Sequence, residues 1–164
     1  MIKTGSLYRS NYESTADIIV NQGGTSSGKT YAILQVLFSL AINAECTTTV
    51  VGQDIPNLKV GALRDALDII NADEAILQQL VFYNRSERVL SFRNGSIIEF
   101  NSYDNEQDAK SGKRDYLFVN EANGIPYNVF EQLSLRTRKK VFIDYNPDTS
   151  FWVHDKIIPL ENTE

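Results

Sequence analysis

The apolar positions of this 164-residue chain change their period repeatedly. Short continuous apolar runs alternate with stretches whose apolar residues recur every three or four positions. The first pattern predicts strands buried on both faces, the second amphipathic helices. "DIIVN" (17–21) reads as a buried strand. Lys29 to about Ala44 reads as a helix, with Ile33, Val36, Leu37, Leu40 and Ala41 on one face. "TTTVVG" (47–52) is a second strand, rich in β-branched residues. "NLKVGALRDALDII" predicts one helix, with a shorter one around Glu74 to Leu80. In "RVLSFRNGSIIEF" two alternating runs flank Asn94-Gly95, a pair that accepts the positive φ angles of a tight hairpin turn. "DYLFVN" (115–120) is another buried strand. "IPYNVFEQLSLRT" is a helix with Pro126 near its start, and "KVFIDY" (140–145) is the final strand. Strands alternating with helices predict an α/β fold, a mostly parallel central sheet flanked by helices, with one antiparallel hairpin inserted.

Composition adds limits. The length suits a single domain over residues 1–164. The net charge of −5 gives no overall attraction to nucleic acid or to an anionic membrane, so such a partner must meet a local patch. A single cysteine, Cys46, excludes an internal disulfide and reads as a small buried hydrophobe. The longest apolar run, "YAILQVLFSLAI", is too short to span a bilayer, and the amino terminus has no targeting character. A soluble intracellular protein is expected.

The chemistry begins at "NQGGTSSGKT". Gly23, Gly28, Lys29 and Thr30 satisfy G-x-x-x-x-G-K-[ST], between a predicted strand and a predicted helix. In such a P-loop the glycines let backbone N–H groups turn inward on phosphate, and the helix N-terminus adds partial positive charge. Lys29 neutralises the β- and γ-phosphates of ATP, and the Thr30 hydroxyl coordinates Mg²⁺. The spacing excludes a dinucleotide-binding turn. The whole loop, Gly23, Gly24, Thr25, Ser26, Ser27, Gly28, Lys29 and Thr30, is the expected nucleotide cradle.

Hydrolysis needs a carboxylate from a second strand. "YLFVNEA" ends in Asn120-Glu121, where such a strand usually ends in an aspartate, for the metal, and then a glutamate, for the attacking water. Glu121 is therefore the candidate base, with Asp144 the next suspect. Asn120 could accept from a Mg²⁺-bound water through its carbonyl oxygen, but without charge; alternatively Asn-Glu-Ala-Asn merely caps a following helix. Asn146, between a predicted strand and Pro147, emerges at the sheet edge where ligands bind in open α/β folds. It can sense the γ-phosphate or simply form a turn. Trp152 and His154 flank the same turn. Trp152 reads as a packing residue and His154 as a surface one. Tyr8 and Tyr12 precede the first strand and read as packing residues that could alternatively stack on a base.

Together these segments resemble the ATPase half of a phage terminase large subunit, the motor that pumps DNA into a procapsid. They are "GGTSSGKT", "VVGQDIPNLKVGALRDAL", "LSFRNGSIIEFNSYDNEQDAKSGKRDYLFVNEAN", "VFEQLSLRTR" and "DYNPDTSFW". The more specific part runs from "DAKSG" into the strand-Glu-Ala, then "EQL…R.R", then Asn-Pro with Trp152 five residues after Pro147. The resemblance spans roughly residues 18 to 158.

It implies an ATPase that moves double-stranded DNA in the cytoplasm of a bacterial host. A portal and a small terminase subunit would be its partners. The chain would be a monomer in isolation and a homo-oligomeric ring when assembled. It also implies phosphate and metal roles for Lys29 and Thr30, water activation by Glu121, and a coupling role for Asn146. Two features depart from the family. Many members carry an arginine finger four residues before the P-loop lysine, where this chain has Thr25. A neighbour in the ring could supply one, with Arg114, then Lys110 and Lys113, as candidates; the alternative is a solvated basic turn. Arg136, Arg138, Lys139 and Lys140 are likewise a phosphate-contacting patch or a solvated helix end. Second, the chain stops before the family's aspartate-rich nuclease domain, which predicts no nuclease activity and an excised or truncated motor domain. A helicase-like ATPase, or a nucleotide-binding module with little hydrolysis, remains open.

Overall fold

The computed structural model describes residues 5–24, 28–148 and 150–160. Its centre is a seven-stranded sheet with β1 (Ile18–Gln22), β2 (Thr47–Val51), β3 (Leu80–Asn84), β4 (Val89–Phe92), β5 (Ile97–Asn101), β6 (Arg114–Val119) and β7 (Thr137–Tyr145). The strand order is β1-β7-β6-β2-β5-β4-β3. The first five in this order run parallel, while β4 is antiparallel to both of its neighbours. The helices are α1 (Ser6–Glu13), α2 (Lys29–Asn43), α3 (Ile55–Val60), α4 (Ala62–Ala72), α5 (Glu74–Gln79), α6 (Glu106–Ala109) and α7 (Tyr127–Leu135).

The near-continuous apolar runs of β6 and β7 follow from burial on both faces. Phe118 and Phe142 enter one core, with Ile33, Leu37 and Phe38 of α2 and Ile69 of α4. Leu117, Val119, Val141 and Ile143 enter the other, with Val129, Phe130 and Leu133 of α7. Helix α2 is buried along most of its length. That explains why its apolar run is wider than one helical face.

Several elements differ from the sequence reading. The helix predicted over "NLKVGALRDALDII" is two helices, broken at Gly61, whose φ of −113° and ψ of −104° lie outside the helical region. Asp54 caps the first by accepting from the Asn57 N–H. The hairpin turn is a three-residue loop, 93–95, in which only Gly95 takes a positive φ, 91°. Gly95 N–H donates to Phe92 O, and Phe92 N–H donates to Ser96 O. The Asn94 side chain is engaged elsewhere, donating to Ala41 O at the end of α2. Strand β3 is not among the predicted elements; it closes the sheet as an edge, with Val81 and Phe82 exposed.

Helix α1 is also absent from the sequence reading, because its residues are mostly polar. It is held by Tyr8 Oη–H donating to Ser39 Oγ of α2 and by a reciprocal amide pair between Asn11 and Asn21. Tyr8 and Tyr12 stack on one another, with ring centroids 5.6 Å apart.

Candidate functional site

Strand β1 runs into the P-loop, and α2 leaves it with Lys29 as its first residue. Thr25, Ser26 and Ser27 lie outside the described residues. Gly23 and Gly24 extend β1, with Gly23 N–H donating to Tyr145 O at the end of β7. Gly28 is the N-cap, at φ 76°. That left-handed geometry costs glycine nothing and penalises other residues.

The parallel register sets what gathers at this edge. Asn21 lies beside Asp144, and Val119 beside Ile143, so the residues that follow β6 meet the last residues of β7. Lys29 is buried, and its Nζ donates to Asn146 Oδ1 at 2.9 Å and to Gly24 O at 3.2 Å. The expected residues Lys29, Thr30, Asn120, Glu121 and Asn146 thus come together with Gly23, Gly24 and Gly28 at the carboxyl edge of β1, β7 and β6.

Their centre is Asp144, which the sequence suggests only as an alternative base. Its side chain is fully buried. Thr30 Oγ1–H donates to its Oδ2 at 2.6 Å. Glu121 N–H donates to its Oδ1 at 2.6 Å. Asn120 Nδ2 donates to both carboxylate oxygens at 3.1 Å. Burial pushes the Asp144 carboxyl above the usual carboxylate range, while the Thr30, Glu121, Lys29 and Asn120 groups pull it back. A signal for this exists in the sequence: "VNE" and "IDY" end two neighbouring strands, and the carboxylate missing from the first is in the second. Seeing that needs the strand order.

Asn120 is near Thr30 as expected, but its amide nitrogen, not its oxygen, faces the hydroxyl, at 3.4 Å. Glu121 is exposed and adopts φ 50°, ψ 59°, an uncommon left-handed conformation for a non-glycine residue. Such a conformation costs on the order of 1–3 kcal/mol and persists only where surroundings enforce it. Its N–H bond to Asp144 is one such constraint. It turns the glutamate out of the strand into the 3₁₀ turn Ala122–Gly124 and presents the carboxylate to solvent.

The donor set can be tested against Mg²⁺. The Thr30 hydroxyl and the Asp144 carboxylate are hard oxygen donors, which suit that ion. Among the described residues no three His, Cys, Asp or Glu side chains gather as metal ligands. A cation here would rest on these oxygens and on the phosphates of a nucleotide, a usual arrangement for Mg²⁺.

Arg114 does not fit the role of a finger. It is 2% exposed and begins β6, at the opposite end of the strand from Glu121. Its Nε–H donates to Thr49 Oγ1 at 2.9 Å and its Nη1–H to Leu133 O at 3.1 Å. The sequence shows a basic cluster but not that its third member turns inward. Lys110 and Lys113 are exposed, Lys110 lying 3.7 Å from Glu106. The basic residues 136–140 lie toward the amino end of β7, away from the P-loop. Arg136 donates to Gln132, Arg138 pairs with Asp115, Lys139 lies over the Tyr116 ring and Lys140 donates to Ser14 O.

Trp152 packs as expected, stacked on Phe130 at 4.5 Å with its indole N–H donating to Ile125 O. His154 is half-buried rather than a surface residue. Its Nδ1 accepts from Phe151 N–H, and its ring meets Tyr145 and Phe151 edge-on.

A family model described as phage terminase large subunit matches residues 15–159. No curated protein sequence matches significantly. Among solved structures, the large terminase of a thermophilic bacteriophage in complex with ADP is similar at 15% identity. Its TM-score is 0.77, covering 96% of this chain and 42% of that one. The large terminase ATPase domain of Thermus phage P74-26 matches at 16% identity and a TM-score of 0.68, covering 93% and 68%. The HK97 bacteriophage large terminase matches at 10% identity and 0.66, covering 88% and 33%. The chain therefore spans about two fifths of the ADP-bound terminase, and at these identities the likeness establishes the fold.

Proposed function

Because the chain belongs to the phage terminase large subunit family, we propose that it is the Mg²⁺-dependent ATPase motor domain that drives double-stranded DNA into a procapsid. The observation that carries this reading is the convergence of Lys29, Thr30, Glu121 and Asn146 on one sheet edge. The relative from the thermophilic bacteriophage was solved with ADP and with ATP-gamma-S, which supports a nucleotide as the ligand.

In this reading Gly23, Gly24 and Gly28 let the loop wrap the phosphates, with Thr25, Ser26 and Ser27 completing it. Lys29 moves its charge from Asn146 Oδ1 and Gly24 O to the β- and γ-phosphates. Asn146 then loses its lysine partner or shares it with the γ-phosphate, so nucleotide state is passed to the β7 end. Thr30 would hold Mg²⁺, which when bound neutralises charge on the transferring phosphoryl group. Glu121, exposed and held by its backbone, orients the attacking water and accepts its proton. With Thr25 in place of a cis arginine, the isolated monomer is slow, by up to about 10³–10⁵ relative to a fingered site. A homo-oligomeric ring would restore the rate through an exposed basic residue of a neighbour, Lys110 or Lys113 being the candidates. The portal and a small terminase subunit are the proposed partners. No helix of the described residues is long and apolar enough to cross a membrane; the host cytoplasm is the proposed place of action, on the family's role alone.

The test is steady-state ATP turnover with and without Mg²⁺ and duplex DNA, beside an unwinding assay on a forked duplex. Mg²⁺-dependent turnover stimulated by duplex DNA, without unwinding, is expected. Unwinding would favour a helicase-like ATPase, and nucleotide affinity without turnover a binding module.

A further inference from the structure

Resting on the P-loop ATPase reading, we propose that the metal-facing carboxylate of this site is Asp144, delivered by β7, and that Asn120 is a positioning residue that holds it. Carboxylate and amide have exchanged strands relative to the usual P-loop plan, in which that aspartate ends the strand carrying the catalytic glutamate.

The hydroxyl of Thr30 is decisive. A hydroxyl has one proton to give and two lone pairs to offer. Thr30 gives its proton to Asp144 Oδ2 at 2.6 Å. With the proton fixed there, the lone pairs are directed away from the carboxylate, one toward Asn120 Nδ2 at 3.4 Å, and a cation would be held by the Thr30 oxygen and the same carboxylate. Asn120 sits where the usual aspartate would, yet directs its amide nitrogen at both Asp144 oxygens.

That choice of residue follows from its neighbour. An aspartate at 120 would set two carboxylates about 3 Å apart in a buried site, and such a pair shares a proton rather than carrying two charges. An amide instead donates to both carboxylate oxygens and adds no second acid. Asp144 also receives the Glu121 N–H, so one buried side chain orients Thr30 on one side and the base on the other. Its full burial and three partners leave it unsuited to act as the base itself.

The experiment uses the full chain in four forms: parent, Asp144→Asn, Asn120→Asp and the exchange Asn120→Asp/Asp144→Asn. Affinity for a fluorescent ADP analogue is measured with Mg²⁺ and again with EDTA. Mn²⁺ binding in the presence of ADP is followed by electron paramagnetic resonance. The parent's Mg²⁺-to-EDTA affinity ratio should fall about 10- to 100-fold in Asp144→Asn. Asn120→Asp should not raise the ratio, and the exchange should restore a large part of it. A merely structural Asp144 would alter both affinities together and leave the ratio unchanged. An unchanged ratio in Asp144→Asn overturns the proposal, as does a higher ratio in Asn120→Asp. Should Asp144→Asn not fold, the exchange variant decides: a folded exchange protein that keeps most of the parent's ratio supports the proposal, and one whose ratio is lost refutes it. A parent that binds no nucleotide removes the P-loop reading itself, and this inference with it.

Discussion

Replacing Arg114 separates a structural role from a catalytic one. The residue is 2% exposed, and its guanidinium makes two short hydrogen bonds, to Thr49 Oγ1 and Leu133 O. In Arg114→Ala the partners are not orphaned. Leu133 O still accepts from Thr137 Oγ1–H and Arg136 N–H, and Thr49 Oγ1–H still donates to Glu99. The loss is therefore two short charge-assisted bonds, worth roughly 1.5–3 kcal/mol each before the guanidinium's own desolvation is returned, with a longer one from Nη2 to Ser111 O at 3.5 Å. The cavity left by the side chain adds to it. A net destabilisation of about 2–4 kcal/mol follows, which for a chain of this size lowers Tm by roughly 5–15 °C. Arg114→Met, which keeps most of the volume, should lose less. Calorimetry gives the Tm. Mixing Arg114→Ala with Glu121→Gln subunits, well below the lower Tm, tests the other role. No rescue should appear, because a side chain enclosed at the far end of β6 cannot enter a neighbour's site. A melting temperature equal to the parent's, together with rescued turnover in the mixture, would refute the reasoning.

Other outcomes follow from the same geometry. Lys29→Ala should lose hydrolysis and most nucleotide affinity, since among the described residues no other cation bonds into the cradle; titration with a fluorescent nucleotide checks it. Glu121→Gln should keep affinity and lose turnover, trapping ATP, which single-turnover quench measurements would detect as uncleaved bound nucleotide. Gly28→Ala should cost about 1–2 kcal/mol from the left-handed backbone alone and weaken nucleotide binding further, read by thermal shift with and without ADP. Burial raises the Cys46 thiol above its ordinary value, so its thiolate fraction at any pH is below that of a free cysteine. Alkylation of the native protein should be slow at pH 7–8 and become rapid in guanidinium; fast labelling of the folded chain would contradict this.

The sheet and its phosphate edge are legible in the sequence because β6, β7 and α2 are buried broadly enough to write apolar runs into it. The P-loop is legible because phosphate wrapping demands glycines at fixed positions. Elements held by few, nonlocal bonds are not. Helix α1 depends on Asn11 meeting Asn21 and on Tyr8 meeting Ser39, pairings that no local periodicity announces. The break at Gly61 is hidden because α3 and α4 each keep a helical period on either side of it. Arg114 looks like its exposed neighbours Lys110 and Lys113, and only the strand's first inward turn distinguishes it. Asp144 reads as a spare base because its relation to Asn120 exists only once β6 and β7 lie side by side.

The position of β1 at the rim of the sheet has a bearing on how the molecule comes into being. Among the described residues its sole strand neighbour is β7, and the pairs that complete the cradle lie far apart in the chain, 117 residues for Lys29 with Asn146 and 114 for Thr30 with Asp144. Such distant parallel pairing is slow to form, because the chain must close a long loop before any contact rewards it. On a ribosome adding about 5–20 residues per second, the P-loop waits roughly 6–25 s after its own synthesis for the strand that organises it. A nascent or prematurely terminated chain lacking β7 would carry the whole phosphate motif and no formed site. The Lys29 and Thr30 pairings are thus withheld until β7 arrives, and their closure marks that β7 has docked beside β1.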